Sequence, residues 1–432
     1  MLTFLRRLRD RLWPAQRTFE QGLESHSLPL DGLRGVAVLL VLMYDCLKLV
    51  NDGSPVTLLA RKTASAGWTG VDLFFVLSGF LITGILLETR GRAGYWRSFI
   101  IRRSVRIFPL YYATLAVVFL VIPSALWWTG GWNSSSRLAQ VQGDQFYYWV
   151  YLQNWLFAAR QTWPHERVLS HFWSLAVEEQ FYLVWPFVVA WFSRRSLVRL
   201  CLALCVTALG LRCLLIAQGA DPVTTYVMTV TRMDSLCLGA LVAVGLRNEH
   251  VYRRCVGWLP VLTAGALALL VGVDVFCPVL ESQAVGSSSI GHTLIGLFFA
   301  CLIATLATVP RGHLLHTAAS ILPLRTLGKY SYAIYVFHRF AHELIMRFDW
   351  STFPEWGRGW GEFAATLALS VGIAKLTWAI LEQPCLSLKK YAPRPDQVMP
   401  ATPLVIDSPT PKNSAPCESA TRDTHATASS ST

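Results

Sequence analysis

Two charged residues in the first apolar segment of the chain could take part in chemistry. Arg34 lies near the start of this segment, and Asp45 follows eleven residues later. Eleven residues are close to three turns of an α-helix, so both side chains project from one face, ~16 Å apart along the axis. Ionisable groups inside a membrane-spanning helix are costly and usually functional, which makes Asp45 a candidate catalytic base and Arg34 a candidate substrate ligand. The alternative is a snorkelling arginine and an aspartate at the membrane interface.

The segment HFWSLAVEEQFYLVWP contains the densest group of side chains suited to proton transfer. His171, Glu178, Glu179 and Tyr182 lie around the start of a predicted helix. The two glutamates point about 100° apart, so only one can readily join a given cluster. A histidine and a carboxylate in a partly dry site form an acid/base pair, and Tyr182 could bind substrate beside them. The alternative is a helix start at which the helix dipole favours acidic residues.

Three more polar residues interrupt apolar segments. Asp72 enters the second segment at its outer end, Ser78 lies about two turns deeper, and Arg232 lies in TRMDSLCLGA. Asp72 is a candidate catalytic residue that would orient the base, and Ser78 and Arg232 are candidate substrate ligands. For Ser78 the alternative is helix packing, because small residues let membrane helices approach closely.

Arginines precede Pro109 in the sequence RSFIIRRSVRIFPLYY. Arg103 and Arg106 stand there beside Arg102. Because guanidinium groups match the geometry of phosphate oxygens, Arg103 and Arg106 are candidate ligands of a nucleotide-bearing donor. Anchoring of the segment at the cytoplasmic membrane face is the alternative interpretation.

A metal site is not expected. His338 and His342 have a spacing that can bind a metal ion, but no third ligand lies near them in the sequence, and zinc needs more. The ten cysteines lie mostly in apolar stretches and show no paired spacing for zinc. No phosphate-binding glycine loop and no nucleophile elbow occurs either.

The elements that must position these residues are membrane helices. Hydrophobic residues make up 53% of the 432-residue chain and charged residues only 15%, against roughly 25% charged in soluble domains. The formal charge of +12 could suggest nucleic acid, but the basic residues fall in alternate loops, as the positive-inside rule requires. A nucleic-acid partner is therefore not expected, and the lipid bilayer is.

We predict an all-α, polytopic membrane protein of about ten transmembrane helices, with both termini in the cytoplasm. The predicted spans are about 33–50, 67–88, 108–124, 175–192, 198–217, 224–246, 257–275, 291–309, 328–346 and 361–382.

Three regions of the chain differ in composition. Residues 1–27 are predicted to form a basic cytoplasmic segment that lies on the membrane surface. Residues 28–390 contain the ten predicted helices. Residues 391–432 are rich in Ser, Thr, Pro and Ala and poor in large apolar residues, which predicts a disordered tail.

Taken in order, seven segments resemble the integral-membrane acyltransferase-3 family, typified by O-antigen acetylases. They cover about residues 28 to 390 and read LDGLRGVAVLLVL, GVDLFFVLSGFLIT, RRSVRIFPLYY, HFWSLAVEEQFYLVWP, RMDSLCLGAL, GKYSYAIYVFH and LEQP. The resemblance implies a bacterial inner-membrane protein of ten helices. It also implies transfer of an acyl group from acyl-CoA, with acetyl-CoA as the expected donor, to a hydroxyl of a carbohydrate or glycolipid. The donor is a substrate, and no bound cofactor is expected.

One position departs from the family pattern. The family has a histidine eleven positions after the arginine of the first helix, and this chain has Asp45 there. Aspartate can still act as a general base when burial raises its pKa, and His171 is the second candidate for that role. The departure leaves two alternatives to an active enzyme, a catalytically inactive scaffold or a carrier of the same fold. An ion-coupled transporter would need matched helix breaks in two halves, which the sequence lacks.

Overall fold

Helices form all the regular structure in the part of the chain that the computed structural model describes, residues 28–50, 53–131, 133, 137–164 and 167–388. No strand occurs in these residues. The predicted all-α class is therefore confirmed. The predicted basic segment 1–27 and the tail 391–432 lie outside the described residues, so the boundaries of the three predicted regions stay a prediction.

Ten helices of 17 residues or more lie in the described residues. They are α1 (Leu28–Cys46), α2 (Gly70–Thr89), α3 (Tyr95–Ala116), α4 (Trp173–Trp191), α5 (Arg194–Ala217), α6 (Thr229–Leu246), α7 (Leu259–Phe276), α8 (His292–Thr308), α9 (Leu322–Ile345) and α10 (Glu355–Thr377).

Shorter helical segments connect or extend these ten. The short α-helices are Pro55–Ser65, Ile122–Trp128, Arg137–Gly143, Gln145–Trp149, Gln153–Arg160, Pro222–Val227, Glu249–Cys255, Leu314–Ala319 and Gln383–Ser387. The 3-10 segments are Gly67–Thr69, Arg167–Phe172 and Val256–Trp258, and the π-helical turns are Val117–Val121, Ser287–Gly291 and Trp378–Glu382.

Seven helical stretches of the described residues are long and apolar enough to cross a membrane. They correspond to α2, α3, α5, α6, α7, α8 and α10 with their extensions. The helices α1, α4 and α9 do not meet this criterion, and they are the ones that contain Asp45, Glu178 and Arg339. A multi-pass membrane protein is thus confirmed, while the expected count of about ten spans stays a prediction.

The third helix differs most from its predicted span. It begins at Tyr95, whereas the sequence predicted a span from about residue 108. Arginine is a good helix former, so the helix continues through Arg103 and Arg106 even though the stretch is not apolar. Both arginines therefore lie on a helix rather than in a loop before one.

Backbone contacts at glycines hold the helices in two closely packed pairs. A Cβ atom at Gly79 would lie 1.9 Å from the carbonyl oxygen of Leu236, and one at Gly239 would lie 2.0 Å from that of Val76, which brings α2 against α6. In the same way α1 meets α9, because a Cβ at Gly328 would lie 1.8 Å from the carbonyl oxygen of Asp31. Small residues at such interfaces permit close approach. Close packing matters in a membrane because the hydrophobic effect does not drive helices together in lipid.

The contact between α2 and α6 predicts the effect of adding one methyl group. We expect Gly79→Ala to lower the free energy of unfolding by about 1–3 kcal/mol, because the new Cβ would overlap the backbone of α6. The measurement is the thermal midpoint of the purified protein in detergent. Gly210→Ala is the matched control, since nothing lies within 4 Å of a Cβ at that position of α5. An equal midpoint for the two variants would contradict the close approach.

Candidate active site

A large cavity of about 640 Å³ opens at the end of the bundle where Asp45 lies. Asp45, His171 and Arg339 contribute its polar lining. Its aromatic lining comes from Tyr44, Trp68, Trp163, Trp173, Tyr226 and Tyr335. Cavities that bind organic ligands commonly combine an apolar or aromatic wall with a few placed polar groups.

Asp45 is held by two neighbouring residues of α9. Its Oδ2 lies 2.8 Å from Nε2 of His338 and 3.0 Å from Nε of Arg339, and its Oδ1 lies 2.6 Å from Nη2 of Arg339. Both carboxylate oxygens therefore accept hydrogen bonds, and the arginine binds in the bidentate geometry that suits carboxylates. A carboxylate engaged in this way is an anchor between α1 and α9 rather than a free base.

His338 has acceptors on both ring nitrogens. Nδ1 lies 2.6 Å from the main-chain carbonyl oxygen of Tyr335, and Nε2 faces Asp45. A carbonyl oxygen only accepts hydrogen bonds, so Nδ1 must carry a proton to make the first contact. Both nitrogens of His338 are engaged, so neither offers a lone pair for proton abstraction unless its contact is broken.

His171 is arranged differently. It lies in the 3-10 segment Arg167–Phe172 and is 4% exposed. Its Nε2 lies 3.3 Å from the carbonyl oxygen of Val336, which requires a proton on that nitrogen. Its Nδ1 is buried and has no hydrogen-bond partner among the described residues. In the neutral ring Nδ1 then bears a lone pair, as a general base requires.

The position of His171 depends on the anchor at Asp45. The Arg339 guanidinium that binds Asp45 also donates from Nη1 to Oγ of Ser170, at 2.6 Å. Ser170 immediately precedes His171, so this bond fixes the backbone beside the imidazole. The ring of His171 also contacts His338 edge-on, with centroids 4.8 Å apart.

A second, smaller cavity of about 90 Å³ lies toward the Arg34 end of the bundle. Six of its lining residues are candidate site residues of the sequence analysis: Arg34, Ser78, Arg103, Arg106, Glu178 and Tyr182. They come from four helices, α1 to α4, and converge on one space. Three guanidinium groups around one cavity make it a candidate anion site.

A chain of hydrogen bonds orders the polar side of the small cavity. The hydroxyl of Tyr182 donates to Oγ of Ser78 at 3.0 Å, and Ser78 donates to Oε1 of Glu178 at 2.6 Å. The guanidinium carbon of Arg103 lies 4.6 Å from the centroid of the Tyr182 ring. Arg103 is therefore stacked on an aromatic face at the edge of the cavity.

Glu178 lies where the sequence did not predict it. The sequence made it a candidate acid/base partner of His171, but it lines the arginine cavity and not the cavity that contains His171. The correction has a geometric reason, because α4 rises ~6 Å over the four residues from Ser174 to Glu178 and carries the carboxylate toward the Arg34 end. Its contact with Ser78 joins it to the polar side of the small cavity.

Asp72 and Arg232 form an ion pair behind the wall of the large cavity. Oδ1 of Asp72 lies 2.7 Å from Nη2 of Arg232, and neither side chain is exposed. The guanidinium carbon also lies 5.3 Å from the ring centroid of Tyr226 and 5.8 Å from that of Trp173. Neither charged residue lines the two cavities. Asp72 and Arg232 are therefore placed to support the aromatic wall rather than to contact a substrate.

Several functional neighbours were missed by the reading of the sequence. Arg339 follows a predicted histidine directly, and Arg212 is a charge inside an apolar helix, so both carried a signal that was not used. Nη2 of Arg212 pairs with Asp234 at 2.7 Å in a second fully buried ion pair. Ser170 and Tyr335 are ordinary residues in the sequence, and only the fold brings them to His171.

Comparison with known proteins supplies the family. The family described as "Acyltransferase domain" matches residues 29–381. The chain is 28% identical over 370 residues to the peptidoglycan O-acetyltransferase OatA of Listeria monocytogenes, covering 82% of this chain and 55% of that protein. It is 31% identical over 326 residues to the putative peptidoglycan O-acetyltransferase YrhL of Bacillus subtilis, covering 72% and 47%.

The match to the O-acetyltransferase OatA of Staphylococcus aureus is 27% over 328 residues, covering 72% of this chain and 49% of that protein. The chain thus spans about half the length of the curated relatives it matches. No solved structure matches. Since the family match covers most of the chain, and the seven motifs in its sequence predicted it, the protein belongs to the membrane acyltransferase-3 family.

Proposed function

We propose that the protein transfers a short acyl group from acyl-CoA to a hydroxyl of a carbohydrate or glycolipid. The observation that carries this proposal is the pair of cavities that meet at one wall, since Val71 and Tyr335 line both. One cavity is rich in arginine and the other contains His171. A transfer between two substrates needs this arrangement, with a site for each substrate and a shared boundary where they react.

The donor would bind at the Arg34 end, which the sequence orients toward the cytoplasm. Arg34, Arg103 and Arg106 would contact its phosphates, because guanidinium groups bind phosphate oxygens strongly. The cavity of about 90 Å³ is too small for a nucleotide. The nucleotide would therefore stay outside with its phosphates at the arginine end, and the extended arm of the donor would carry the thioester through the cavity to the shared wall.

The acceptor would enter the large cavity at the Asp45 end. The relatives with the printed name peptidoglycan O-acetyltransferase suggest a glycan hydroxyl as the acceptor class. Five aromatic side chains beside Tyr335 offer apolar faces on which a sugar ring can pack. Nδ1 of His171 would take the proton of the attacking hydroxyl, while Asp45 and Arg339 would hold Ser170 and the imidazole in place.

A catalytically inactive scaffold or carrier remains the second candidate, since Asp45 replaces the histidine of the family pattern. The anchor at Asp45 fits either function. Turnover of acetyl-CoA distinguishes an active enzyme from a scaffold or carrier. Purified wild-type protein that is folded in detergent should release thiol from acetyl-CoA slowly without an acceptor and faster with a glycan. Absence of both reactions would favour the scaffold.

The free nitrogen of His171 predicts a large effect of its removal. We expect His171→Ala to lower kcat by about 10²–10⁴-fold, the usual contribution of a general base. The adjacent cavity of about 640 Å³ should admit free imidazole, which we expect to restore part of the activity. The measurement is release of labelled acetyl from acetyl-CoA in membranes, with and without imidazole.

Two variants serve as comparisons for His171→Ala. Asp45→Asn should also lower the activity, but imidazole should not restore it, because the effect acts through the position of His171. His250→Ala is the control, since His250 is exposed on the segment Glu249–Cys255. If imidazole restored Asp45→Asn and not His171→Ala, Asp45 would be the base.

The arginines of the small cavity lead to a prediction about KM for the donor. We expect Arg103→Ala and Arg106→Ala each to raise KM for acetyl-CoA by about 10-fold or more, since a hydrogen bond to a charged group contributes about 1.5–3 kcal/mol. Arg253→Ala is the matched control, because Arg253 pairs with Glu249 on an exposed helix. Steady-state kinetics with varied acetyl-CoA gives the measurement. An unchanged KM in folded variants would leave these arginines as membrane anchors only.

A further inference from the structure

The wall between the two cavities contains a pair of hydroxyl groups. Tyr335 lines both cavities, and Ser174 lines the small one. Oγ of Ser174 lies 2.6 Å from the hydroxyl oxygen of Tyr335. Both side chains are buried, at 4% and 5% exposure. The thioester of a donor in the small cavity and a hydroxyl in the large cavity would therefore meet beside this pair.

These two hydroxyls are not committed to any charged partner. Each lies 3.1 Å from the main-chain carbonyl oxygen of His171, which can only accept a hydrogen bond. The contacts of the two groups in the described residues are this carbonyl and each other. Both O–H groups can turn about their C–O bonds toward a stronger acceptor that arrives at the wall.

His171, whose main-chain carbonyl oxygen accepts from these hydroxyls, is also the residue whose Nδ1 has no hydrogen-bond partner among the described residues. The ring centroids of His171 and Tyr335 lie 5.2 Å apart, and the main chain of His171 is in hydrogen-bond contact with both hydroxyls. The imidazole and the two O–H donors thus lie close together beside the wall. Hydrolytic and acyl-transfer sites require this combination around a reacting carbonyl.

We propose that the hydroxyls of Ser174 and Tyr335 bind the oxyanion formed when the acyl donor is attacked. The assignment rests on the proposed function and adds two catalytic residues to it. Donors that are already placed in a dry site stabilise developing negative charge more than water does, because they need little reorganisation. A phenol and an alcohol are suited to this role since each can donate one hydrogen bond.

The reaction at the wall balances without a further reagent. The acceptor oxygen bonds to the carbonyl carbon of the thioester, and its proton moves to Nδ1 of His171. The electron pair of the carbonyl bond moves to its oxygen, where Ser174 and Tyr335 donate to it. When the carbonyl re-forms, the carbon–sulfur bond breaks, and the leaving sulfur receives the proton from His171. The products are the ester and CoA as its thiol.

Ser174 is assigned as a donor and not as a nucleophile. Its contacts are a phenol and a main-chain carbonyl, and neither of these can take its proton as a base. A serine needs an adjacent base within hydrogen-bond reach to form an acyl-enzyme. Intact-mass analysis during turnover tests this, and an acetyl group on Ser174 would overturn the assignment.

The first experiment removes one hydroxyl at a time from the whole 432-residue chain in detergent. Tyr335→Phe and Ser174→Ala should each lower kcat for thiol release from acetyl-CoA by about 10²–10³-fold, with KM for the donor within twofold of wild type. Tyr95→Phe is the matched control, because Tyr95 is a buried tyrosine whose hydroxyl donates to the carbonyl oxygen of Pro186 at 3.0 Å. It should keep wild-type kcat.

A second measurement detects the oxyanion contact itself. A dithioester analogue of acetyl-CoA replaces the carbonyl oxygen by sulfur, which is a weak hydrogen-bond acceptor. The wild type should turn over the oxygen donor at least tenfold faster than the analogue, after correction for their uncatalysed rates. In Tyr335→Phe this preference should fall toward unity, because only the oxygen donor loses a strong hydrogen bond. A purely structural effect of the substitution would lower both rates equally and leave the preference unchanged.

The outcomes separate this assignment from the proposed function. If wild type releases thiol and Tyr335→Phe keeps full kcat or an unchanged preference for the oxygen donor, the oxyanion assignment is overturned and the acyltransferase proposal stands. If folded wild type shows no turnover with acetyl-CoA, both are overturned. If Ser174→Ala does not fold, Tyr335→Phe alone decides the oxyanion assignment. Ser174→Thr, which keeps a hydroxyl at position 174, is then the variant to compare with wild type.

Discussion

The ion pair of Asp45 with Arg339 is the contact on which the candidate site depends. Removing a carboxylate from water costs several kcal/mol, and the cost is recovered only when charged and hydrogen-bonding partners surround it. Here the partners are His338 and Arg339, consecutive residues of α9. Neither helix can rotate without leaving Asp45 unpaired. Since the same guanidinium reaches Ser170, one interaction fixes α1, α9 and the segment that contains His171.

Two other buried ion pairs support the remaining helices. Asp72 with Arg232 joins α2 to α6, and Arg212 with Asp234 joins α5 to α6. These pairs account for charges in apolar helices without giving each of them a catalytic role. Together with the glycine contacts of α2 and α6, they form a packed unit beside α1 and α9. The small cavity lies where α1, α2 and α9 meet α3 and α4, and the large one lies beside α1 and α9 at the connecting segments.

Much of the fold and part of the site could be predicted from the sequence. Apolar runs give the long helices to within a few residues, as in α8, which was predicted at 291–309 and spans His292–Thr308. The convergence of Arg34, Arg103 and Arg106 was also predictable, because positive residues collect at one membrane face. The start of α3 was not, since hydropathy cannot detect a helix through an arginine-rich stretch.

The partners of the predicted residues could not be obtained in the same way. A sequence shows that Asp45 lies in an apolar run, but only tertiary packing decides that His338 and Arg339 face it across 293 and 294 residues. Ser174 and Tyr335 carry no charge and interrupt no pattern. Their meeting follows from the angle between α4 and α9, and that angle depends on side-chain packing along both helices.

The unequal size of the two cavities has a consequence for how such proteins diversify. The space of about 90 Å³ is bounded by helices that also hold the core together, whereas the space of about 640 Å³ is bounded in part by connecting segments near Trp163 and Ser282. Connecting segments tolerate insertion and substitution far better than packed helices do. Substitutions in these segments would therefore reshape the large cavity and leave the helices around the small one unchanged.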